Sequence, residues 1–229
     1  AGGLSPLAPN GIVALDLALN NGVGELGYQI YIINIISMTI FAALVFIILG
    51  GLKFRGERIE ISKAEKFNKN QIYTLISVFI LILWVIIGGV NVGFAAFTLS
   101  AILLILKTAD QNEAIINVPW STLLLISGTA VLISVVKELG GVDLLTSFLA
   151  SLMNQATSIP IIGVLSGVMS IFSSAVGVVM PTLIPTTVEL SNELGNVVSP
   201  AALTITIAVA SHIVTMSPFS TMGALAIAC

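Results

Sequence analysis

Long apolar runs alternate with short polar stretches along the whole chain. The runs cover residues 1–15, 29–51, 72–90, 92–107, 118–136, 159–184 and 200–229. A helix needs about 20 mainly apolar residues to cross the hydrocarbon core of a bilayer, and most of these runs approach that length. The pattern therefore predicts an all-α polytopic membrane protein.

The composition agrees with a lipid-embedded chain and excludes several other classes. Hydrophobic residues make up 57% of the 229 residues and charged residues 8%, against roughly 25% charged residues in soluble domains. No basic patch lies outside one loop, so we expect no nucleic-acid partner. Cys229 is the single cysteine, which excludes a disulfide scaffold. No phosphate-binding Gly-x-x-x-x-Gly-Lys motif and no Cys/His cluster is present, so we expect neither ATP nor a resident metal or cofactor.

One polar stretch holds most of the positive charge and sets the predicted topology. Six of the eight basic residues lie in it: Lys53, Arg55, Arg58, Lys63, Lys66 and Lys69. Short loops rich in Lys and Arg stay in the cytoplasm, so residues 52–71 are predicted to form a cytoplasmic linker. Counting crossings from this linker puts Lys107 inside and Lys137 outside, with scaffold spans over 72–136.

The segment after the scaffold spans contains polar positions that interrupt the apolar pattern. Residues 138–155 mix apolar and polar positions and predict an amphipathic helix at the membrane interface. Residues 159–184 form two apolar arms around the polar tip Ser173-Ser174, and each arm spans about half the bilayer as a helix. This pattern favours a re-entrant hairpin; the alternative is one continuous span whose serines bond back to the helix.

The last apolar segment contains a helix breaker that has a counterpart near the start of the chain. Pro218 interrupts residues 200–229, because a proline inside a helix removes a hydrogen bond and clashes with the preceding turn. The stretch around Ser5-Pro6 is similar to the stretch around Ser217-Pro218 at a shift of 212 residues, with Ser, Pro, Gly and Ala identical at four of eleven positions. The crossing count gives the two copies opposite directions. Broken helices at matching places of an inverted repeat indicate the binding site of a transporter.

The chemistry of such breaks suits ions in a membrane interior. A broken helix supplies free N–H groups and a positive dipole end for an anion, while its carbonyls and nearby hydroxyls suit Na⁺. His212, the single histidine, lies before the break, and an ionisable group within a span is a functional candidate. We expect it to carry a proton or touch the substrate; the alternative is a neutral ring bonded to a neighbouring helix.

An enzyme hypothesis also has to be weighed. Ser166 and His212 could form the nucleophile and base of an intramembrane serine protease. The stretch Gly-Val-Leu-Ser-Gly at residues 163–167 is one residue too long for the Gly-x-Ser-Gly motif of rhomboid-type proteases, and no His-Asn pair accompanies it. We therefore predict that the protein is not an enzyme.

Several motifs carry a resemblance to a known family. They are Phe-Ser-Ser-Ala at 172–175, Met-Pro at 180–181, Ser-Pro-Phe-Ser-Thr at 217–221, and Pro-Trp followed by Leu-Leu-Leu and Gly within 119–128. Together they resemble the second repeat of the ion-transporter superfamily that includes divalent-anion/sodium symporters. Gly-Gly-Leu-Ser-Pro at residues 2–6 is similar to the MatC-type dicarboxylate carriers. The likeness covers nearly the whole chain.

The resemblance implies a division of the chain and a set of binding residues. Residues 1–51 would end a first repeat, with a broken helix and one span, and 72–229 would form most of a second. The implied substrate and ion ligands are Ser173, Ser174, Ser217, Ser220, Thr221, Ser5, Pro9 and Asn10. Na⁺ would bind transiently at Ser173, Ser174 and Thr221. Symporters of this family usually have Ser-Asn-Thr at the tip, where this chain has Ser-Ser-Ala, so the coupling ion is Na⁺ or H⁺.

The implied activity is secondary active transport by an elevator motion. We expect a multi-pass protein of the inner membrane, in contact with lipid, that carries a small dicarboxylate such as malonate or succinate. Alternatives within the superfamily are an inorganic-anion exporter and a cation/proton antiporter. Because the chain begins without Met and stops within an apolar run, we expect it to be part of a longer protein that forms a homodimer.

Overall fold

The computed structural model describes residues 2–53, 67–118 and 120–215, and every regular element in these ranges is helical. The α-helices, in chain order, are α1 (Pro9–Asn20), α2 (Gly27–Ile48), α3 (Lys69–Gly88), α4 (Val92–Ile105), α5 (Gln111–Ile116), α6 (Trp120–Glu138), α7 (Gly141–Leu152), α8 (Ser158–Phe172), α9 (Met180–Leu183), α10 (Thr187–Glu193) and α11 (Pro200–Val214). The chain divides into two compact units, one of Ala1–Lys53 with Ser121–Cys229 and one of Phe54–Trp120. The predicted division into repeats stays a prediction.

Two helices in the described ranges are long and apolar enough to cross a membrane, α2 and α3. A third span results if the bent pair Leu123–Glu138 and Gly141–Leu152, which meet at 81°, is counted as one. Helices α4, α8 and α11 are apolar but have only 14 or 15 residues. At 1.5 Å per residue they are shorter than the roughly 30 Å hydrocarbon layer, so each of the three needs further chain to reach across it.

The second unit is a helical hairpin whose ends are set by local caps. Asn68 and Gln71 form a reciprocal capping box at the start of α3. Gly89 ends α3 in the left-handed conformation, with φ of 60°, and Asn91 then caps α4. The Asn70 amide donates to the carbonyl of Thr108 at 3.2 Å, which brings the chain after α4 back to the level where α3 begins. The two helices are therefore antiparallel.

The first unit is built around the segment between α8 and α10. This segment changes helix type along its length, from a π-helix (Ala175–Val179) through α9 to a 3-10 turn (Ile184–Thr186). Pro181 and Pro185 lack N–H groups, so a continuous α-helical hydrogen-bond ladder is impossible here. Most of the segment is buried in the core of the unit, and irregular backbone at membrane depth is tolerated only when protein or a cavity surrounds it.

Helices α8 and α11 pack side by side and run in the same direction. A methyl group on Gly163 would come within 3.2 Å of the Thr206 methyl carbon. Seven residues further along α8, the Ser170 hydroxyl donates to the carbonyl of Ser211 at 2.7 Å. Since the numbers rise together in both helices, α8 and α11 are parallel and end at the same level.

The chain from Ser174 to α10 runs in the opposite direction along α11. The Thr204 hydroxyl lies 3.3 Å from the hydroxyl of Thr187. Further along α10, the Ser191 hydroxyl donates to the carbonyl of Val198 at 2.7 Å. Here the numbers fall in one helix as they rise in the other, so the chain reverses direction between α8 and α10. That this hairpin re-enters a bilayer stays a prediction.

Helix α7 breaks away from the direction of α6 and is amphipathic. Val142, Thr146 and Leu149 are buried on one face, at the spacing of a single helical stripe. Leu144 and Phe148 are exposed on the other face. This arrangement is that of an amphipathic helix, and its placement at a membrane interface stays a prediction.

Candidate functional site

Three helix ends converge in the first unit, and we call this place the helix-end junction. It consists of the C-terminal ends of α8 and α11 and the N-terminal end of α1. The bond from the Ser170 hydroxyl to the Ser211 carbonyl joins the first two. The side chains of Asn10 and His212, which are 202 residues apart in sequence, join α1 to α11 with 3.5 Å between Nδ2 and Nδ1. The junction therefore brings together residues predicted from both ends of the sequence.

The chain enters α1 through a bend that leaves backbone N–H groups available. A 3-10 turn (Gly2–Leu4) precedes the bend, and α1 then begins at Pro9. The first intrahelical bond at this end runs from the Ile12 N–H to the carbonyl of Ala8. The N–H groups of Asn10 and Gly11 have no partner among the described residues. They sit at the positive end of the helix dipole, which is suited to an anion.

The bend before α1 requires a glycine on the helix. The Ser5 carbonyl accepts the Ala8 N–H at 2.9 Å and passes over Gly11. A methyl group on Gly11 would come within 2.0 Å of this carbonyl oxygen, which is well inside any tolerated contact. Ser5 and Asn10 are half-buried and Pro9 is exposed. Gly11 therefore holds the break, and with it the predicted ligands Ser5, Pro9 and Asn10, in place.

The serine tip (Ser173–Ser174) follows directly after α8. Ser173 is extended and donates its hydroxyl to the carbonyl of Met169 at 2.7 Å. Ser174 accepts the Gly177 N–H at 3.0 Å and so begins the π-helix. Both side chains are half-buried. Each hydroxyl oxygen keeps a lone pair, and hydroxyl oxygens are ligands that a hard cation accepts.

The His212 ring is enclosed by the two residues that face it from the start of the chain. It is 9% exposed. The position that a Gly3 methyl group would occupy lies 2.4 Å from Cε1 and 2.5 Å from Nε2, so only glycine lets the backbone pass the ring. Asn10 faces Nδ1 on the other side. Ser166 is fully buried and donates to the carbonyl of Ile162 at 2.7 Å within α8, which is a structural role.

Three predicted ligands, Ser217, Ser220 and Thr221, lie outside the described residues, as does the predicted break at Pro218. Helix α11 ends at Val214, just before them. Among the described residues, no group of three or more His, Cys, Asp and Glu side chains is arranged to hold a metal ion.

Sequence reasoning missed three residues of the junction. Gly3, Ser170 and Ser211 bring the helix ends together, and none of them was singled out. A signal for Ser170 existed, because serines at 166, 170 and 173 share one face of an otherwise apolar helix. Gly3 carried no such signal, since its need for glycine arises from a ring more than 200 residues away.

The chain matches a known protein family. A model of a family described as CitMHS, citrate transporter, matches residues 3–226, which is nearly the whole chain. The match includes every residue of the helix-end junction. No curated protein and no solved structure matches the chain.

Proposed function

This chain belongs to the citrate transporter (CitMHS) family, and we propose on that premise that it carries a small carboxylate anion through the helix-end junction. Membership confirms three predictions: the protein is a membrane protein, it has an all-α polytopic fold, and it is a transporter rather than an enzyme. It also supports the resemblance to ion transporters. The protease alternative at Ser166 is therefore set aside.

The observation that carries the proposal is the convergence of polar helix ends without any basic side chain. The sequences of the 3-10 turn, α1, α8, the segment 175–186 and α11 contain no Lys or Arg. A carboxylate cannot leave water unless other groups replace its hydration. The N–H groups of Asn10 and Gly11, the Asn10 amide and the serine tip supply such groups, and the α1 dipole adds about half a positive charge.

We propose a citrate-type anion as substrate, and we keep the dicarboxylates malonate and succinate as candidates. The family description supports the first, and the motif resemblance supports the second. The coupling ion is Na⁺ or H⁺. The hydroxyl oxygens of Ser173 and Ser174 support Na⁺ as the coupling ion, whereas His212 supports H⁺. An elevator motion, an inner-membrane location and a homodimer remain parts of the proposal.

The test is uptake of labelled citrate, malonate and succinate by the full-length protein in proteoliposomes, with imposed Na⁺ or proton gradients. We expect uptake of at least one anion, driven by one of the two gradients. Ser174→Ala should reduce uptake at least tenfold, because one lost hydrogen bond to a charged group is worth roughly 1.5–3 kcal/mol.

Ser199→Ala is the matched control for this variant. Ser199 caps α11 by accepting the Ala202 N–H at 3.2 Å, as Ser174 caps the π-helix, but it lies at the opposite end of α11. Both variants lose about 1 kcal/mol of capping energy. Equal losses of uptake in the two variants would refute a binding role for the serine tip, and the absence of uptake for all three anions would refute the proposed substrate class.

A further inference from the structure

The Asn10–His212 contact is the only polar side-chain contact within the described residues that joins α1 to α11. The Asn10 amide nitrogen faces Nδ1 of the ring at 3.5 Å. In the tautomer of the neutral ring that has its proton on Nε2, Nδ1 accepts from this amide nitrogen. The amide oxygen of Asn10 then points away from the ring. No other described group bonds to the Asn10 side chain.

Protonation of His212 reverses the polarity of this contact. In the imidazolium both ring nitrogens donate, so Nδ1 can no longer accept from Asn10. A half-turn about the last side-chain torsion of Asn10 puts the amide oxygen against Nδ1–H and the amide nitrogen on the far side. This torsion is broad and roughly two-fold in asparagine, so the rotation is cheap.

The His212 ring cannot rotate to restore the hydrogen bond itself. Its Cε1–Nε2 edge lies so close to the Gly3 backbone that a single added methyl group would come within 2.5 Å of it. The ring is also almost completely buried, at 9% exposed, whereas Asn10 is half-buried. The amide is therefore the partner that moves.

We propose that Asn10 relays the protonation of His212 to the bound anion through this amide rotation. With a neutral ring, Asn10 turns its oxygen away from the ring and repels a carboxylate at the α1 N-terminus. With a charged ring, it turns its NH₂ group away from the ring and donates to that carboxylate. The proton comes from the solution that the site faces. The inference rests on the proposed function, since it assumes that the anion binds at the junction.

Besides the amino group of the first residue, whose charge acts on the His212 ring, the described elements around α11 bring few titratable side chains to the junction. Among the described residues, α8, the 3-10 turn and the segment 175–186 contain no titratable side chain. Helix α10 contributes Glu189 and Glu193, but it packs on α11 at the opposite end, around Thr204. Helix α1 contributes Asp16, and helix α2 contributes Tyr28 and Tyr31.

The functional test compares anion binding across pH in the full-length protein. Citrate and succinate dissociation constants are measured between pH 5.5 and 8 by isothermal titration calorimetry for the wild type, Asn10→Ala and His212→Gln. Citrate and succinate also change their protonation state over this pH range. The informative quantity is therefore the dissociation constant of the variant divided by that of the wild type at each pH. Gaining a hydrogen bond to a charged group changes affinity by about tenfold or more. We expect Asn10→Ala to bind about tenfold more weakly than wild type at pH 5.5 and no more weakly at pH 8.

Asn21→Ala is the matched control for the loss of an amide on the same helix. Asn21 lies at the far end of α1, where its amide donates to the Leu17 carbonyl at 2.8 Å and its oxygen accepts from Lys137. Asn21→Ala should leave the ratio of dissociation constants at one at every pH measured. A constant ratio for Asn10→Ala would mean that His212 acts through its own charge, and the relay would be wrong.

The spectroscopic test needs no substrate and therefore separates the relay from the proposed function. His212 is the single histidine of this chain, so its ring ¹⁵N signals are identified by their loss in His212→Gln. At pH 8 we expect the proton on Nε2, and on acidification we expect the Asn10 amide ¹⁵N signal to shift with the midpoint of the ring. The relay is overturned if the proton lies on Nδ1 at pH 8. It is also overturned if the Asn10 amide ¹⁵N signal does not shift with the titration of the ring. Absence of anion binding at every pH overturns the proposed function instead.

Discussion

Gly3 gives the most direct test of the helix-end junction, because it has a neighbour that serves as its control. Replacing Gly3 by alanine puts a methyl carbon 2.4 Å from Cε1 and 2.5 Å from Nε2 of His212. Ordinary contact begins at about 3.4 Å, so the ring or the turn must move by about 1 Å. At Gly2, the preceding residue in the same 3-10 turn, no described atom lies within 4 Å of the added methyl group.

The expected cost follows from the packing around the ring. Overpacking a well-filled site costs about 1–3 kcal/mol, and His212 is too buried to swing into solvent. A displacement of about 1 Å would also break the 3.5 Å contact to Asn10, which is already at the limit of a hydrogen bond. Gly3→Ala should therefore destabilise the protein and weaken anion binding, whereas Gly2→Ala should stay within about 0.5 kcal/mol of the wild type.

The assay is thermal unfolding of the purified full-length protein in detergent, combined with the uptake measurement. In chains of 150–250 residues about 1 kcal/mol lowers Tm by 2–4 °C, and in longer chains by less, so Gly3→Ala should lower Tm by up to about 12 °C. The same substitution in a His212→Ala background removes the obstacle and should then cost almost nothing. Equal effects of Gly2→Ala and Gly3→Ala, or an undiminished effect without the ring, would refute the close packing of Gly3 on His212.

Two further substitutions test other contacts of the first unit. Ser170→Ala removes the bond to the Ser211 carbonyl and should cost about 1 kcal/mol in thermal unfolding, whereas Ser166→Ala, which loses only a bond within its own helix, should cost less and leave uptake intact. Glu189 lies outside the spanning segments, and partial burial, followed by the nearby charge of Asp143, raises the pKa of its carboxyl. Its contribution to stability is therefore largest below pH 4.5 and is lost as pH rises through the raised pKa. Glu189→Gln should therefore raise the free energy of unfolding at pH 8 by less than about 0.5 kcal/mol and leave it unchanged at pH 4.

The helices of the second unit were the easiest to predict, because local signals determine them. The apolar runs 72–90 and 92–107 correspond to α3 and α4 within three residues. Asn68 and Asn91 cap the two helices, and Gly89 turns the chain between them. These signals act over three or four residues, and a single sequence shows them directly.

The first unit was harder, because packing decides its local structure. The apolar run 1–15 gave no indication that α1 continues to Asn20, past the charged Asp16. The second arm of the hairpin was expected to be regular helix, yet it passes through π, α and 3-10 forms. Pro181 and Pro185 show that the α-helical hydrogen-bond ladder must be interrupted. Whether each turn is a π, α or 3-10 turn depends on the helices packed around it.

The contacts of the junction lie furthest beyond sequence reasoning. Asn10 and His212 were each singled out, but for separate reasons, and no pattern in one sequence connects residues 202 positions apart. Whether His212 was a proton carrier or a neutral ring bonded to a neighbouring helix was left open. The structure shows a polar neighbour on another helix, and the proposed relay treats the two alternatives as two protonation states of one contact.

The same contact offers a physical reason for a carboxylate site without a fixed cation. A carrier must bind its anion on one side of the membrane and release it on the other. A permanently charged arginine would favour the bound anion equally on both sides, because its charge does not change with pH. Histidine gains and loses its charge near neutral pH, and the N–H groups at the start of α1 contribute only a partial charge. Under the proposed relay, an anion held by these groups is bound tightly only while the ring is protonated, so loss of the proton on the far side promotes release.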